Sequence, residues 1–227
     1  MRGKRGYQAI DVYNVVKRKI VTMELKPGEI LREKALERDL GVGRTPIREA
    51  ILALKAENLV ESRPNESPFV KEITLKGVKD FFEPFMVIEK LTSRLAALRI
   101  TAEQLVEIRK VNKSVSSSIK KKDYLNIWSK NRHLHVLIAG ASDNEHLISI
   151  QSNLRDKAER LAYLAISEEL RNNTPLEEHL NKMDDQHEEI ISRLEAKDVD
   201  GSEALAEEHA KLFQHRITMY LGANIAL

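Results

Sequence analysis

The chain has 227 residues, of which 32% are charged and 5% are aromatic, and it contains no cysteine. This length has room for one large domain or two smaller ones. The lack of cysteine excludes disulfides and thiolate metal sites. No apolar run is long enough to cross a bilayer, and the start of the chain lacks the apolar region of a signal peptide. We therefore expect a soluble, helix-rich protein of the cytoplasm.

The formal net charge of +2 is unevenly distributed along the chain. Residues 1–72 contain 15 Lys and Arg against 11 Asp and Glu, a net charge of +4, which leaves −2 for residues 73–227. Only the first part of the chain therefore favours a polyanionic partner such as DNA, and the excess is modest.

The beginning of the chain predicts three helices followed by a β-hairpin. The first helix has one apolar face and ends at the Pro-Gly turn of residues 26–29. Periodicity then predicts helices over residues 32–40 and 45–57, and short strands over 59–62 and 68–71. A hairpin in this position is the wing of a winged helix.

The second and third of these helices predict a helix-turn-helix. Gly41 permits a sharp turn between them, and Pro46 suits a first helical turn, where its missing N–H would be unpaired anyway. Thr45, or Gly43 two residues before it, is expected to cap the third helix. The third helix should bury one apolar face, formed by Ile47, Ala50, Ile51 and Leu54.

Arg44 and Arg48 lie off this apolar face, near the start of the third helix. A recognition helix presents its N-terminal residues to base edges in the major groove of DNA. The position of the two arginines therefore predicts that this helix reads DNA.

Residues 25–70 resemble the winged-helix domain of the GntR family of bacterial transcription regulators. The shared motifs are Pro-Gly-Glu at 27–29, Gly-Val-x-Arg-Thr-Pro-Ile-Arg-Glu-Ala at 41–50 and Glu-Asn-Leu-Val at 57–60. The resemblance implies that double-stranded operator DNA is contacted by four residues, namely Lys34, Arg44, Thr45 and Arg48. Two departures are Gly43, where the family usually has Ser or Thr, and Glu66-Ser67-Pro68 in place of an Arg-Gly wing tip. A glutamate repels phosphate, so we expect weak minor-groove reading by this wing.

After residue 72 the pattern predicts helices only, over residues 74–100, 102–121, 123–140, 144–170, 176–197 and 202–221. Pro84 is expected to kink or split the first of them. The serine-rich segment 114–118 is a poor helix former and is expected to fray. Leu91, Leu95 and Leu98 share one helix face and are expected to pack in the core. The fold class is therefore mainly α, with a winged helix-turn-helix over residues 1–72 and an all-α bundle over residues 73–227.

Three histidines of the second part lie on separate predicted helices. His135 shares a helix face with Asn131 four residues earlier, and His187 and His209 belong to two later helices. A single histidine is more often a surface residue or a satisfied core residue than a metal ligand. The spacing alone leaves the role of the three histidines open.

Residues 75–221 resemble the all-α effector domain, called FCD, of the FadR-type branch of GntR regulators. The matching pieces are Glu89 with Leu95-Ala96-Ala97, Asn131-x-x-Leu134-His135 with Ala141-Ser142-x-Asn144, His187 with Leu194-x-x-Lys197-Asp198, and His209. In many such domains an Asp and three His bind a divalent metal. The resemblance places that set at Asn131, His135, His187 and His209, with zinc or nickel as the metal and an organic acid as effector. Asn131 replaces the usual Asp, and Phe85 stands where many relatives have Arg.

These features predict a DNA-binding transcription regulator, more specifically a repressor, that acts as a homodimer through residues beyond 72. We expect no enzyme activity and no membrane partner. Two alternatives stay open: a metal-dependent hydrolase and an architectural DNA-binding protein without a ligand. The hydrolase is disfavoured because His-Glu-x-x-His is absent and Glu188 faces another side of its helix from His187.

Overall fold

The structure is a computed structural model, and it describes residues 9–64, 66–172 and 176–225. It divides into two compact units, one ending at Thr74 and the other beginning at Leu75. Each unit has its own hydrophobic core. The predicted fold class, a winged helix-turn-helix followed by a helical bundle, is confirmed.

The first unit contains three helices and a two-stranded antiparallel sheet. Its elements are α1 (Ala9–Val21), α2 (Glu33–Leu40), α3 (Arg44–Ala56), β1 (Val60–Glu61) and β2 (Phe69–Val70). Val60 pairs with Val70 in the sheet. The core includes Val16, Ile20 and Leu31 together with the buried face of α3. That face consists of Ile47, Ala50, Ile51 and Leu54, as the apolar pattern predicted.

The turn between α2 and α3 depends on one left-handed residue. Gly41 has φ 65° and ψ 36°, and its backbone N–H donates to the carbonyl oxygen of Glu37, which closes the end of α2. A side chain at this φ would be strained, so glycine suits the position. Gly43 then precedes α3 in an extended conformation, and Arg44 is the first residue of the helix. The turn therefore fixes where the N-terminal arginines of α3 begin.

The second unit consists, over its described residues, of six helices. They are α4 (Leu75–Arg99), α5 (Ala102–Lys120), α6 (Tyr124–Gly140), α7 (Glu145–Asn172), α8 (Leu176–Glu195) and α9 (Val199–Ile225). Helix α4 packs against α9, and α5 packs against α6 and α8. Thr101 and Gln104 form a capping box at the start of α5. None of the helices in the described ranges is long and apolar enough to span a membrane.

One expectation about helix breaks was wrong, namely the fraying of residues 114–118, and of the two outcomes expected at Pro84 the split does not occur. Helix α4 is not split at Pro84, because Phe82 and Phe85 on either side of it are buried against Phe213 of α9. Helix α5 continues through residues 114–118 to its end at Lys120. The hydroxyl of Ser116 lies 2.7 Å from the carboxylate of Asp184 on α8, to which it donates, and 3.2 Å from the backbone oxygen of Asn112, so it does not compete with the helix.

The prediction that Leu91, Leu95 and Leu98 pack in the core was also wrong for two of the three. Leu91 is 42% exposed and Leu98 is 54% exposed, while Leu95 is partly buried. Val87, four residues before Leu91, is 62% exposed. Helix α4 therefore presents an apolar row of Val87, Leu91 and Leu98 on the surface of this chain, here called the α4 row.

Candidate functional site

The four residues predicted to contact DNA are all exposed in the first unit. Arg44, Thr45 and Arg48 lie in the first turns of α3, and Lys34 lies on α2. This placement matches that of base-reading residues in a recognition helix. Their contact with DNA stays a prediction.

Both arginines of α3 form ion pairs with acidic residues of α2. The Nε of Arg48 donates to Glu33 at 3.1 Å, and the Nε of Arg44 lies 3.5 Å from Glu37. Such exposed pairs add little stability, but they restrict the rotamers of long side chains. The sequence analysis missed these two acidic partners, because which residues of α2 face α3 depends on the geometry of the turn.

In the wing, which is the hairpin of β1 and β2, a positive and a negative side chain lie close together. The guanidinium of Arg63 lies 5.4 Å from the ring centre of Phe69, and its Nη1 is 3.7 Å from the carboxylate of Glu66. This ion pair is exposed and partly cancels the positive charge near the wing tip. It agrees with the expectation of weak minor-groove reading, which stays a prediction.

The three histidines singled out from the sequence meet inside the second unit. His135 comes from α6, His187 from α8 and His209 from α9, and their ring centres are 4.8–5.3 Å apart. One nitrogen from each ring can be chosen so that all three lie within 4.8 Å of one another. All three side chains are buried. We call this group the histidine triad.

Several polar atoms of the triad and its surroundings have no hydrogen-bond partner among the described residues. They are His135 Nε2, both ring nitrogens of His187, and Asn131 Oδ1. The Nδ1 of His209 is 3.0 Å from the amide oxygen of Gln186. That oxygen can only accept, so Nδ1 carries the proton and the Nε2 lone pair of His209 is available. Buried polar atoms without partners are unfavourable, and a cation bound through ring lone pairs would remove this cost.

Burial keeps the triad neutral. It lowers the pKa of His135 and of His209 well below the ordinary value of 6.5, and it lowers the pKa of His187 to about 3. The charge of Arg155 acts in the same direction on all three rings. Neutral imidazole is the form that ligates metals, so the protonation state of the triad at pH 7 suits a metal site.

A buried ion pair adjoins the triad. The guanidinium of Arg155 on α7 bonds to the carboxylate of Glu89 on α4, and Gln151, also on α7, donates to the other oxygen of that carboxylate. Arg155 Nη2 also lies 2.5 Å from His135 Nδ1. Sequence reasoning included Glu89 in the family resemblance but missed Arg155 and Gln151. Nothing in the sequence pattern of α7 distinguishes Arg155 from the other charged residues around it, so its ion pair could not be predicted.

A cavity lies beside the triad within the second unit. About 510 Å³ of space, including its open mouth, lies between walls that are mostly apolar. The apolar walls include Phe85, Trp128, Met183 and Phe213. Its polar lining includes Asn131, Arg155, His179 and His209. Asn131 thus shares a cavity wall with one histidine of the triad, and the cavity combines an apolar body with a polar end.

Comparisons with known proteins agree with both units. Residues 8–70 match the family model described as bacterial regulatory proteins, gntR family, and residues 80–212 match the FCD domain. The HTH-type transcriptional repressor RspR of Escherichia coli K12 is 26% identical over 87% of this chain and 83% of its own length. The gluconate operon transcriptional repressor of Bacillus licheniformis is 23% identical over 86% and 79%. The solved structure of E. coli McbR/YncC superposes with a TM-score of 0.79 at 23% identity, covering 95% and 98% of the two chains.

The winged helix and the helical bundle together define a DNA-binding transcription regulator. The chain belongs to the GntR family of bacterial regulatory proteins and carries an FCD domain. The relatives are named as regulators or repressors, so neither the hydrolase nor the architectural alternative finds support among them.

The buried histidines predict how the stability of the bundle depends on pH. In the folded, metal-free protein their pKa values are depressed, whereas in the unfolded chain they return to about 6.5. The unfolded state then binds more protons below pH 6.5, so the free energy of unfolding should fall as the pH falls from 6.5 toward about 3, where His187 also titrates. Urea unfolding of chelator-treated protein at pH 7 and pH 5 should give a lower midpoint at pH 5.

The fluorescence of Trp128, the single tryptophan of the chain, reports on the bundle in this experiment because it lies in α6. His187→Gln should reduce the pH dependence, while the same change at the exposed His146 should preserve it. Equal midpoints for the wild-type protein at the two pH values would contradict the burial of neutral histidines.

Proposed function

We propose that the chain is a repressor that binds operator DNA as a homodimer and responds to an organic acid bound in a metal-containing FCD bundle. The observation that supports this most is the buried histidine triad with unpartnered ring nitrogens, which borders a cavity in the effector domain. Repression is favoured by the names of two relatives, RspR and the gluconate operon regulator. Such a regulator acts where the bacterial chromosome lies, in the cytoplasm.

His135, His187 and His209 would hold the divalent metal, with the amide oxygen of Asn131 as a weak fourth ligand. Imidazole ligands suit zinc and nickel, and the lack of a thiolate or carboxylate in this set disfavours softer and harder ions. When bound, the metal supplies a localised positive charge that can attract a carboxylate. The three rings are neutral, and His135 Nε2 and both ring nitrogens of His187 lack hydrogen-bond partners among the described residues, so the triad fits such an ion.

The organic acid would lie in the cavity, with its carboxylate toward the triad and Arg155. The guanidinium of Arg155 and the ring nitrogens supply the polar end, and Phe85, Trp128 and Phe213 pack against the apolar body. Arg132, which also lines the cavity, is engaged by Asp156 and so adds less positive charge. These walls favour a monocarboxylate with an apolar body over a heavily hydroxylated acid.

Effector binding would change operator affinity through a population shift. Helix α4 contributes Phe85 to the cavity and Glu89 to the ion pair, and its first residue follows the last residue of the DNA-binding unit. A ligand that binds one packing of α4 better than another moves the equilibrium by its difference in affinity. Since a helix-turn-helix dimer reads two half-sites at fixed spacing, a small change in α4 is enough to alter DNA binding.

The first prediction of this proposal concerns operator specificity. Arg44→Ala and Arg48→Ala should each cost about 1–3 kcal/mol at an operator selected from a random library, and much less on unselected DNA. Lys34→Ala should weaken both kinds of DNA binding more evenly and reduce the salt dependence. Arg18→Ala, which removes an exposed arginine of α1, is the matched control for lost charge. Equal losses on both DNAs for the α3 variants would show that these arginines contact only phosphate.

The second prediction concerns the dimer. The α4 row of Val87, Leu91 and Leu98 offers an apolar surface of the kind that a second copy of the chain would cover. Sedimentation velocity should show a wild-type dimer and a dissociated Leu91→Glu variant. Val106→Glu, on the exposed face of α5, is the matched control and should remain dimeric. A wild-type monomer, or an intact Leu91→Glu dimer, would reject this interface.

The third prediction concerns the metal. Protein purified without a histidine tag or chelator should contain close to one zinc or nickel per chain, and His187→Ala should lose it. Adding zinc to metal-free protein should raise the melting temperature, because a ligand of the native state stabilises it. Asn131→Asp should tighten binding by restoring an anionic ligand. Substoichiometric metal in the wild-type protein, with no change in melting on adding zinc or nickel, would leave a pocket for an organic ligand alone.

A further inference from the structure

The positively charged guanidinium of Arg155 lies at the edge of the histidine triad. Arg155 is 5% exposed, and its guanidinium bonds to Glu89 and lies 5.1 Å from the ring centre of Phe85. Its Nη2 is 2.5 Å from His135 Nδ1. Arg155 therefore interacts both with a predicted metal ligand and with the carboxylate beside it.

The contact with Arg155 decides which nitrogen of His135 carries the proton. A guanidinium only donates hydrogen bonds, so the Nδ1 of His135 must accept. In the neutral ring the proton is then on Nε2, which leaves no lone pair there for a metal. With Arg155 in this position, neither nitrogen of His135 can bind an ion.

Arg155 also neutralises the carboxylate that contacts the triad. Glu89 Oε2 lies 3.7 Å from His135 Nδ1, and it is the carboxylate in contact with the triad among the described residues. Asn131 and the three imidazoles bring no negative charge. A divalent ion in this buried place therefore depends on Glu89 for charge compensation, but the negative charge of Glu89 is already neutralised by Arg155.

We propose that Arg155 is a resident competitor that the metal must displace from His135. The proposal rests on the metal site proposed above. In the metal-free state Arg155 donates to His135 Nδ1 and pairs with Glu89. In the metal-bound state the guanidinium leaves His135 and the His135 proton moves from Nε2 to Nδ1. Glu89 is placed to accept that proton in a hydrogen bond, as carboxylates do behind metal-bound histidines.

Zinc affinity in competition with a chromophoric chelator tests this competition. Arg155→Met removes the guanidinium, so the negative charge of Glu89 is no longer neutralised and His135 Nδ1 is no longer occupied. Zinc should then bind about tenfold more tightly, which is the size of effect seen when a residue that hydrogen-bonds to a metal ligand is changed. Arg155→Lys keeps a cation beside Glu89 and is the matched control, expected within about threefold of wild type. In the Glu89→Gln/Arg155→Met variant the gain should disappear, because the compensating charge is gone.

The outcomes separate this inference from the metal site itself. If wild-type protein binds zinc and folded Arg155→Met binds it equally or more weakly, the competitor role is overturned and the metal site stands. If neither protein binds zinc, the metal site is rejected and the competition with it. Circular dichroism of each variant establishes that it is folded.

A second measurement needs no variant. Nitrogen-15 spectra of histidine-labelled wild-type protein should show His135 protonated on Nε2 without metal and on Nδ1 after zinc is added. A purely structural role of Arg155 would not produce this exchange. Protonation of Nδ1 in the metal-free protein would overturn the proposal even if Arg155→Met failed to fold.

Discussion

The buried ion pair between Glu89 and Arg155 is the interaction on which the rest of the bundle depends. Charges removed from water cost several kcal/mol each unless they are paired, and both of these side chains are 6% exposed. Each therefore requires the other, and Gln151 and His135 satisfy further atoms of the pair. Together with the histidine triad they join α4, α6, α7, α8 and α9 at one polar centre, and the cavity borders this centre at Arg155 and His209.

Helix α4 links this centre to the other features of the chain. It contributes Glu89 to the ion pair, Phe85 to the cavity and the exposed α4 row to the surface, and it starts directly after the winged helix in sequence. In the DNA-binding unit, ion pairs likewise orient the side chains that are predicted to contact DNA. Without DNA, Glu33 of α2 pairs with the Nε of Arg48, and Glu37 of α2 pairs with the Nε of Arg44.

The sequence predicted best those structural features that depend on residues close together in the chain. The turn at Gly41 and the buried face of α3 follow from backbone sterics and from a helical period of 3.6 residues. The approach of the three histidines was expected from the family resemblance, since nothing local brings α6, α8 and α9 together. Arg155 was missed because burial of a charge depends on residues far away in sequence. The exposed leucines of α4 were misjudged for the same reason, because packing partners and not local propensity decide whether they are buried. The same holds for the continuity of α4 through Pro84.

The most direct test of this account is anomalous diffraction at the zinc edge from crystals of the tag-free protein soaked in zinc. One anomalous peak per chain is expected between His135, His187 and His209, with the Arg155 guanidinium no longer on His135 Nδ1. A map with ordered imidazoles and no peak among them would contradict the metal site. A peak there with Arg155 still donating to His135 would contradict the competition between the two cations.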